Sequence, residues 1–331
     1  MKIFNVNYYY KLTNIIILMI IFNYIFFNRH IYNEYFFCQS CINNKPNNKQ
    51  CHKCSPSILF KSIKIKSVDE TLDEIIINKK SISRFGDGEF MLLFGKNIKF
   101  QKYNKILKDK LMNVLNSRIP NLLVGIVKLI NPKDKFWDKW LERNKFKLAK
   151  IIDKNKIYYN AGITRFYAPS VNKEKIKNYI SKFKRIWDKR NILIIEGEKT
   201  RIGIGNDLFN NTKSIKRIIC PVRNAFKSYW KILKFVSDIN LDKQTLILIS
   251  LGPTATALVY DLHRLGNQII DFGHFDINYE YYIRNARKKI KIPYKYVNEV
   301  SGGSKNIIRV KDKNYYKQIK SNSLIIKQKK I

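Results

Sequence analysis

The chain contains no G-x-G-x-x-G segment and no G-K-[ST] triplet, so neither the dinucleotide-binding fingerprint nor a P-loop is present. No small-x-small cleavage site follows its apolar N-terminal run, which argues against a cleaved secretory signal. No internal repeat is evident, which excludes a solenoid. Acidic residues are scarce: 25 Asp plus Glu stand against 64 Lys plus Arg, a formal charge of +39. Such an excess raises nucleic acid, an anionic membrane or a phosphorylated ligand as partners. Lys, Asn and Ile are abundant from end to end, however, so basic residues spread over solvated faces are the simpler reading. Hydrophobic residues are not scarce. At 45%, with 13% aromatics over 331 residues, they exclude wholesale disorder and suffice for one large domain or two smaller ones.

The run 12–27, LTNIIILMIIFNYIFF, is nearly all apolar, preceded by Lys2, Lys11 and Tyr8–Tyr10 and followed by Arg29 and His30. It is short of the ~20 residues that comfortably cross a bilayer and is interrupted by Asn23. It is expected to be a hydrophobic helix serving as a single-pass membrane anchor, with a packed soluble helix as the alternative. The charge balance across it does not decide which side of the membrane the chain occupies. A polar stem follows, with Cys38, Cys41, Cys51 and Cys54 spaced C-x2-C-x9-C-x2-C. Two thiolate pairs on tight turns suit a structural Zn2+, with a pair of disulfides, in an oxidising lumen, or free thiols as the alternatives. Cys220, at the end of a strand-like run, reads as a buried core thiol.

From Ser67 the pattern alternates. Apolar runs at Leu122–Ile126, Ile192–Ile195, Ile215–Ile219, Leu246–Ser250 and Gln268–Asp271 are separated by helical patterns at Tyr103–Leu115, Val171–Trp187, Ala225–Val236 and Thr254–Leu265. This is the signature of an α/β fold, a Rossmann-like parallel sheet with helices on both faces. Ligands in such folds gather at the carboxyl ends of strands. Four segments occupy that position. Ser83-Arg84-Phe85-Gly86-Asp87-Gly88-Glu89 offers two carboxylates between glycines, able to point at one hard cation. Glu196 to Asp207 combines Glu196, Glu198, Thr200 and Arg201 with Gly203, Gly205, Asn206 and Asp207, a loop able to approach phosphate closely. Leu251-Gly252-Pro253-Thr254-Ala255-Thr256 is a glycine turn into a helix whose threonines can cap it. Asp271-Phe272-Gly273-His274-Phe275-Asp276 sets an imidazole among carboxylates. Each is ordinary alone: a D-x-E is usually a turn, and a lone His is usually a satisfied structural residue.

Together with Ile163-Thr164-Arg165-Phe166-Tyr167, Ser214-Ile215, Arg217-Ile218 and Asn224-Ala225-Phe226, these segments resemble the GT-D-type glycosyltransferases in order and spacing. The resemblance covers 67–295. It implies a domain that binds a nucleotide-sugar, with Asp87 and Glu89 holding Mn2+ or Mg2+ under the donor diphosphate. Arg84, Arg165, Glu196, Thr200, Arg201, Gly203, Gly205, Asn206, Asp207, Gly252 and Thr254 are then expected around the donor. His274, Asp276 and Glu198 are the candidates for the base. Two positions depart from the family pattern: Gly125-Ile126-Val127-Lys128 replaces Gly-Ile-Pro-Asp, and Asp276-Ile277-Asn278-Tyr279-Glu280-Tyr281 replaces Asp-Ile-Glu-Tyr-Glu-Trp.

The sequence thus divides into an apolar segment at 1–30, a cysteine stem at 31–66, the transferase domain at 67–295 and a basic extension at 296–331. The expected activity is metal-dependent transfer from a nucleotide diphosphate sugar, a UDP-sugar by preference, to a glycan or glycoconjugate acceptor. A zinc-knuckle nucleic-acid-binding protein is the competing reading. It explains charge and cysteines but leaves the strand-end glycines and carboxylates without purpose, so nucleic acid is disfavoured as a partner. A catalytically degenerate, membrane-tethered scaffold is the third reading, raised by Lys128 and Asn278.

Overall fold

The computed structural model describes residues 59–130, 134–168 and 170–319. The apolar run 12–27 and the four stem cysteines lie outside the described residues. Among the described residues, no helix is long and apolar enough to cross a membrane. The chain forms two compact units, one containing Ser62–Leu129 and the chain from Ile152 onward, the other containing Ile130–Ile151.

The larger unit is a parallel α/β fold. Its strands are β1 (Lys64–Ile65), β2 (Ser81–Phe85), β3 (Leu122–Ile126), β4 (Ile157–Asn160), β5 (Asn191–Gly197), β6 (Ser214–Cys220), β7 (Leu246–Ser250) and β8 (Ile269–Asp271). They form one sheet in the order β1-β4-β3-β2-β8-β7-β5-β6, every pair parallel. Strands β3 and β8 are buried at every residue, as expected where both faces are covered. The helices are α1 (Val68–Ile76), α2 (Asp87–Leu93), α3 (Lys105–Asn116), α5 (Lys173–Lys184), α6 (Tyr229–Asp238), α7 (Pro253–Leu262), α8 (Phe275–Ile283) and α9 (Lys313–Ile319); α4 (Lys135–Ala149) belongs to the smaller unit.

Local chemistry sets several boundaries. Ser67 Oγ accepts from the Glu70 amide while Glu70 Oε2 accepts from the Ser67 amide, a reciprocal cap that starts α1. Its Leu72, Ile75 and Ile76 then fall on the buried face. Gly252 turns β7 into α7 at φ +55, and Pro253 occupies the first helical position, where its missing N–H costs nothing.

One core joins α1, α5 and α8 to inward residues of the sheet such as Ile82, Ile194, Leu248 and Ile270. Its centre is aromatic. Phe183 and Phe275 lie 4.1 Å apart, Trp187 and Phe209 5.1 Å, and Phe272 contacts all four. Trp187 donates its indole N–H to the Leu208 carbonyl, so the buried ring leaves no polar atom unpaired. Helix α7 packs on β2 and β8, and α3 and α6 pack on α7.

The basic extension expected from residue 296 is part of this fold as far as Ile319. The Tyr296 amide donates to the Lys199 carbonyl at 2.7 Å. Val310, Tyr315 and Ile319 form a second small core with Ile204 and Ile219, which seats α9 on the edge strand β6. Cys220 is buried as expected, and burial pushes its thiol up, away from the thiolate form.

Phe272→Ala removes the ring shared by that aromatic centre and should cost ~3–5 kcal/mol of folding stability. Urea unfolding checks it, with an unchanged m-value expected if the loss is local.

Candidate active site

Strand β7 leads to β8 on one side and its neighbour β5 leads to β6 on the other, so the loops after β5 and β7 diverge, and it is at such a switch point that an open parallel sheet has its ligand crevice. Arg84, near the end of β2, organises one side of it. Its Nε donates to the Asp271 carbonyl at 2.8 Å, Nη2 to Asp271 Oδ1 at 2.9 Å and Nη1 to the Ala161 carbonyl at 3.0 Å. One guanidinium therefore ties β2 to β8 and to the turn after β4. Gly273, at φ +49, is required by this arrangement, because a Cβ there would lie 1.8 Å from Arg84 Nη2. Thr256 Oγ1 completes the knot, 3.0 Å from the Arg84 carbonyl and 3.3 Å from Asp271 Oδ2.

Helix α2 starts at the same place. Glu89 Oε2 accepts from the Gly86 amide at 2.7 Å, capping the helix it belongs to. Burial first, then the neighbouring Asp271 carboxylate, push the Glu89 carboxyl up to about 7 against that hydrogen bond. Asp271 is raised as well by its burial, with Arg84 opposing the shift. Asp87 is exposed and accepts no hydrogen bond from a described residue. A Cβ on Gly88 would lie 4.0 Å from Pro253, which sets the first turn of α2 beside the N-terminus of α7. There Thr254 is wholly buried and its hydroxyl has no partner.

The other side of the crevice is a set of buried charges. Glu196, at the end of β5, accepts from Arg217 Nη1 at 2.5 Å and from the Ile202 amide at 2.7 Å, and Arg217 returns a bond to the Ile202 carbonyl at 2.9 Å. Lys295 is fully buried between Asp276 Oδ2 at 2.6 Å and Glu280 Oε1 at 2.8 Å. Asp276 Oδ1 accepts from the Gly203 amide at 2.9 Å and Asn206 Nδ2 at 3.0 Å, and the same amide nitrogen donates to Glu280 Oε1 at 2.9 Å. The loop after β5 is thus clamped to α8. Gly203 permits the clamp, since a Cβ there would lie 2.4 Å from the Phe209 ring.

The Glycosyltransferase GT-D fold family model matches residues 82–300. The chain belongs to this GT-D family. It is 35% identical over 247 residues to the probable glycosyl transferase Gly of Streptococcus gordonii, covering 72% of this chain and 36% of that protein. With the glycosyltransferase GlyD of Streptococcus pneumoniae serotype 4 it shares 32% identity over 265 residues, 78% of this chain and 32% of that protein. The chain spans about a third of the length of these curated relatives. A solved structure described as "The highly conserved domain of unknown function 1792 has a distinct glycosyltransferase fold" superposes with a TM-score of 0.73 at 34% identity, covering 80% of this chain and 98% of that one. "A New Glycosyltransferase (DUF1792) from Streptococcus sanguinis" superposes with a TM-score of 0.72 at 32% identity, with the same coverage.

Within the GT-D domain, the residues expected at the site separate by their partners. Asp87, Glu89, Arg84, Gly252 and Thr254 come together around the ends of β2, β7 and β8. Glu198 is exposed just past β5 and no described residue bonds to its carboxylate; only its backbone amide is used, by the Cys220 carbonyl. Thr200 closes the same turn, its amide donating to the Gly197 carbonyl at 2.8 Å. The other expected residues are engaged within the protein. Asp276 has both oxygens engaged by three donors and is almost wholly buried. Glu196 is equally engaged and braces the loop from beneath, and Arg201 gives Nη1 to the carbonyls of Tyr294 and Ile308, both at 2.7 Å. Asn206 is spent on Asp276 and Glu280, Gly205 backs onto Tyr294, and Asp207 accepts from the Tyr279 hydroxyl at 2.6 Å.

His274 is also committed. Arg165 Nη2 can only donate, so Nδ1 of the imidazole, 3.1 Å away, accepts, and Nε2–H donates to Asn298 Oδ1 at 2.9 Å. Burial, then the Arg165 charge, bring the imidazole down to about 4. A neutral ring with its free lone pair pinned by a cation is a poor base at neutral pH. Arg165 also pairs with Glu299; burial opposes the charged form there, but Arg165 and then His274 hold Glu299 down to about 2.

Sequence reasoning missed Lys295 and the Asn298-Glu299 pair, and it quoted Arg217 and Glu280 as parts of the family pattern without giving them a role. Arg217 left a trace, because a basic residue inside the apolar run SIKRIIC calls for a buried acid. Among the described residues, no group of three or more His, Cys, Asp or Glu could hold a metal by itself.

Two measurements probe this arrangement. Lys295→Met removes the cation that Asp276 and Glu280 share, leaving only Arg284 at the other oxygen of Glu280, and should cost ~3–5 kcal/mol in chemical denaturation. A carboxyl raised from 4.5 to about 7 keeps its proton in the folded chain after the unfolded chain has lost it, so Glu89 makes stability fall as pH rises through that window. Glu89→Gln retains an acceptor for the Gly86 amide and should remove this fall, read as the wild-type-minus-variant difference in unfolding midpoint on either side of the window.

Proposed function

We propose that the GT-D domain transfers a sugar from a nucleotide diphosphate donor, a UDP-sugar by preference, to a hydroxyl of a glycan or glycoconjugate, with Mn2+ or Mg2+ held by Asp87 and Glu89. The observation that carries this reading is the state of those two carboxylates. In a chain of charge +39, Asp87 has no basic partner among the described residues, and among them Glu89 has no basic side chain bonded to it, the Gly86 amide donating to one oxygen. Two hard oxygens fit a divalent cation, and two are few enough to leave positions for diphosphate oxygens and water. A cation bound there supplies neutralisation of the charge that develops on the departing nucleotide diphosphate.

The chain's own groups do the rest. The N-terminus of α7 lies beside the first turn of α2, and the Thr254 hydroxyl there is a buried polar group without a partner among the described residues. Arg84 holds the ends of β2 and β8 in register, so that Asp87 and Glu89 start from a fixed backbone. The clamp through Asp276 and Lys295 fixes the loop after β5. Of the three candidate bases, Glu198 alone keeps a free carboxylate, and it is assigned the acceptor proton.

Hydrolysis of a UDP-sugar panel by the full chain tests the proposal without knowledge of the acceptor. Chelation should abolish turnover and Mn2+ or Mg2+ restore it; Asp87→Asn should lose at least ~10²-fold with an unchanged melting temperature. Glu198→Gln should retain donor binding in calorimetry while losing transfer to an acceptor. Full activity of Asp87→Asn in chelator would sink the metal assignment.

A further inference from the structure

Helix α4 has two unlike faces. Leu141 and Leu148 are buried, whereas Phe136 and Phe146 are 55% and 51% exposed, far more than large rings in water usually are. By helical geometry Phe136, Trp140, Arg143 and Lys147 lie along one stripe, flanked by Lys139 and Phe146. Lys139, Arg143 and Lys147 are all exposed. Asp138 and Glu142 fall toward the flank, and Glu142 is paired with Lys145. The helix carries five basic and two acidic side chains, so aromatic rings and positive charge are interleaved on the face turned to solvent.

We infer that this face of α4 docks on an anionic lipid bilayer, lying in the interface with its rings at the acyl boundary and its basic side chains at the headgroups. The chemistry selects this occupant. The exposed Phe136 and Phe146 gain from an apolar boundary, the half-buried Trp140 between them is of the type that prefers the interfacial layer, and Lys and Arg around them are attracted by a negative surface. A solvated charged face would not need the rings, and a helix packing into a protein core would not need three basic residues among them. A single weak membrane contact is reversible, and a second signal makes it stable. The apolar run 12–27, elsewhere in the sequence, supplies a contact of a different kind. The inference is independent of the proposed transfer chemistry, since none of these residues belongs to the strand-end site.

The test uses the full chain with vesicles of phosphatidylcholine, alone or with about 30% phosphatidylglycerol, some carrying brominated acyl chains. Bromine should quench tryptophan emission in the anionic vesicles, and Trp137→Phe/Trp140→Phe should abolish the quenching, a signal that membrane contact through 12–27 does not produce. Lys139→Glu/Arg143→Glu should weaken binding to anionic vesicles at least ~30-fold, with UDP-sugar hydrolysis and melting temperature unchanged. Phe136→Ser/Phe146→Ser should lower both binding and quenching. Equal quenching in neutral vesicles, quenching that survives loss of both tryptophans, or binding of the charge-reversed variant at wild-type strength would overturn the inference. So would a face that instead mediates self-association or captures a short single-stranded oligonucleotide with no preference for vesicles.

Discussion

The arrangement of the crevice depends on the Arg84 fork. Three strand ends converge on one guanidinium, and the bonds it makes to two backbone carbonyls fix main chain, not merely side chains. Its geometry excludes any side chain at Gly273 and consumes one oxygen of Asp271. A single positive charge serves that carboxylate and none remains for Glu89, whose carboxyl is pushed up by its burial and by Asp271. The fork thus produces both rigidity and a local deficit of positive charge.

On the other side of the crevice, buried charge is balanced within the protein. Glu196 has Arg217, and Asp276 and Glu280 share Lys295, with Arg284 reaching Glu280 Oε2 at 3.1 Å. Such pairs contribute little net stability, since desolvation offsets much of their attraction, but breaking one is costly. Their value lies in geometry: the acids they hold in place accept from the loop after β5, Glu196 from the Ile202 amide and Asp276 from the Gly203 amide and Asn206. The Gly203 amide and Asn206 reach α8 through Asp276, and Arg201 reaches the chain beyond β8 through Tyr294 and Ile308. A loop built from glycines would otherwise be free to fluctuate.

Much of this fold could be read from the order of residues because sheet strands buried on both faces are continuous apolar runs. Leu122–Ile126 and Leu246–Ser250 coincide with β3 and β7, and the runs at Ile192 and Ile215 fall inside β5 and β6. Helix α8 escaped for the opposite reason. It is buried nearly all round, polar Asp276, Asn278 and Glu280 included, so it has no contrast between faces for a periodicity to reveal. Strand-end glycines and carboxylates were visible as a site, but the ownership of each acid was not. Lys295 lies beyond α8 and beyond the turn that precedes it, and nothing local to Asp276 announces that a lysine folds back onto it. The boundary drawn at 295 has the same origin, because α9 reads as a Lys-rich tail until Tyr315 and Ile319 are seen against β6.

The distribution of acids then separates scaffold from chemistry. In a chain with 64 basic residues, a carboxylate that folding can neutralise has many partners available, and Glu196, Asp271, Asp276 and Glu280 each have one. Asp87 and Glu198 have none among the described residues, although both follow strands whose neighbours are pinned by ion pairs. Leaving them unpaired gains nothing for the fold, because an exposed Asp or Glu near a lysine is at worst neutral. It does preserve negative charge where the sheet opens, in a protein whose overall field would draw any phosphorylated ligand toward its surface without choosing a place. Anionic side chains at that opening would repel a bare diphosphate. On the proposed reading a divalent cation between them would make the site attractive to the diphosphate, and cation and donor would then be mutually dependent ligands rather than two independent ones.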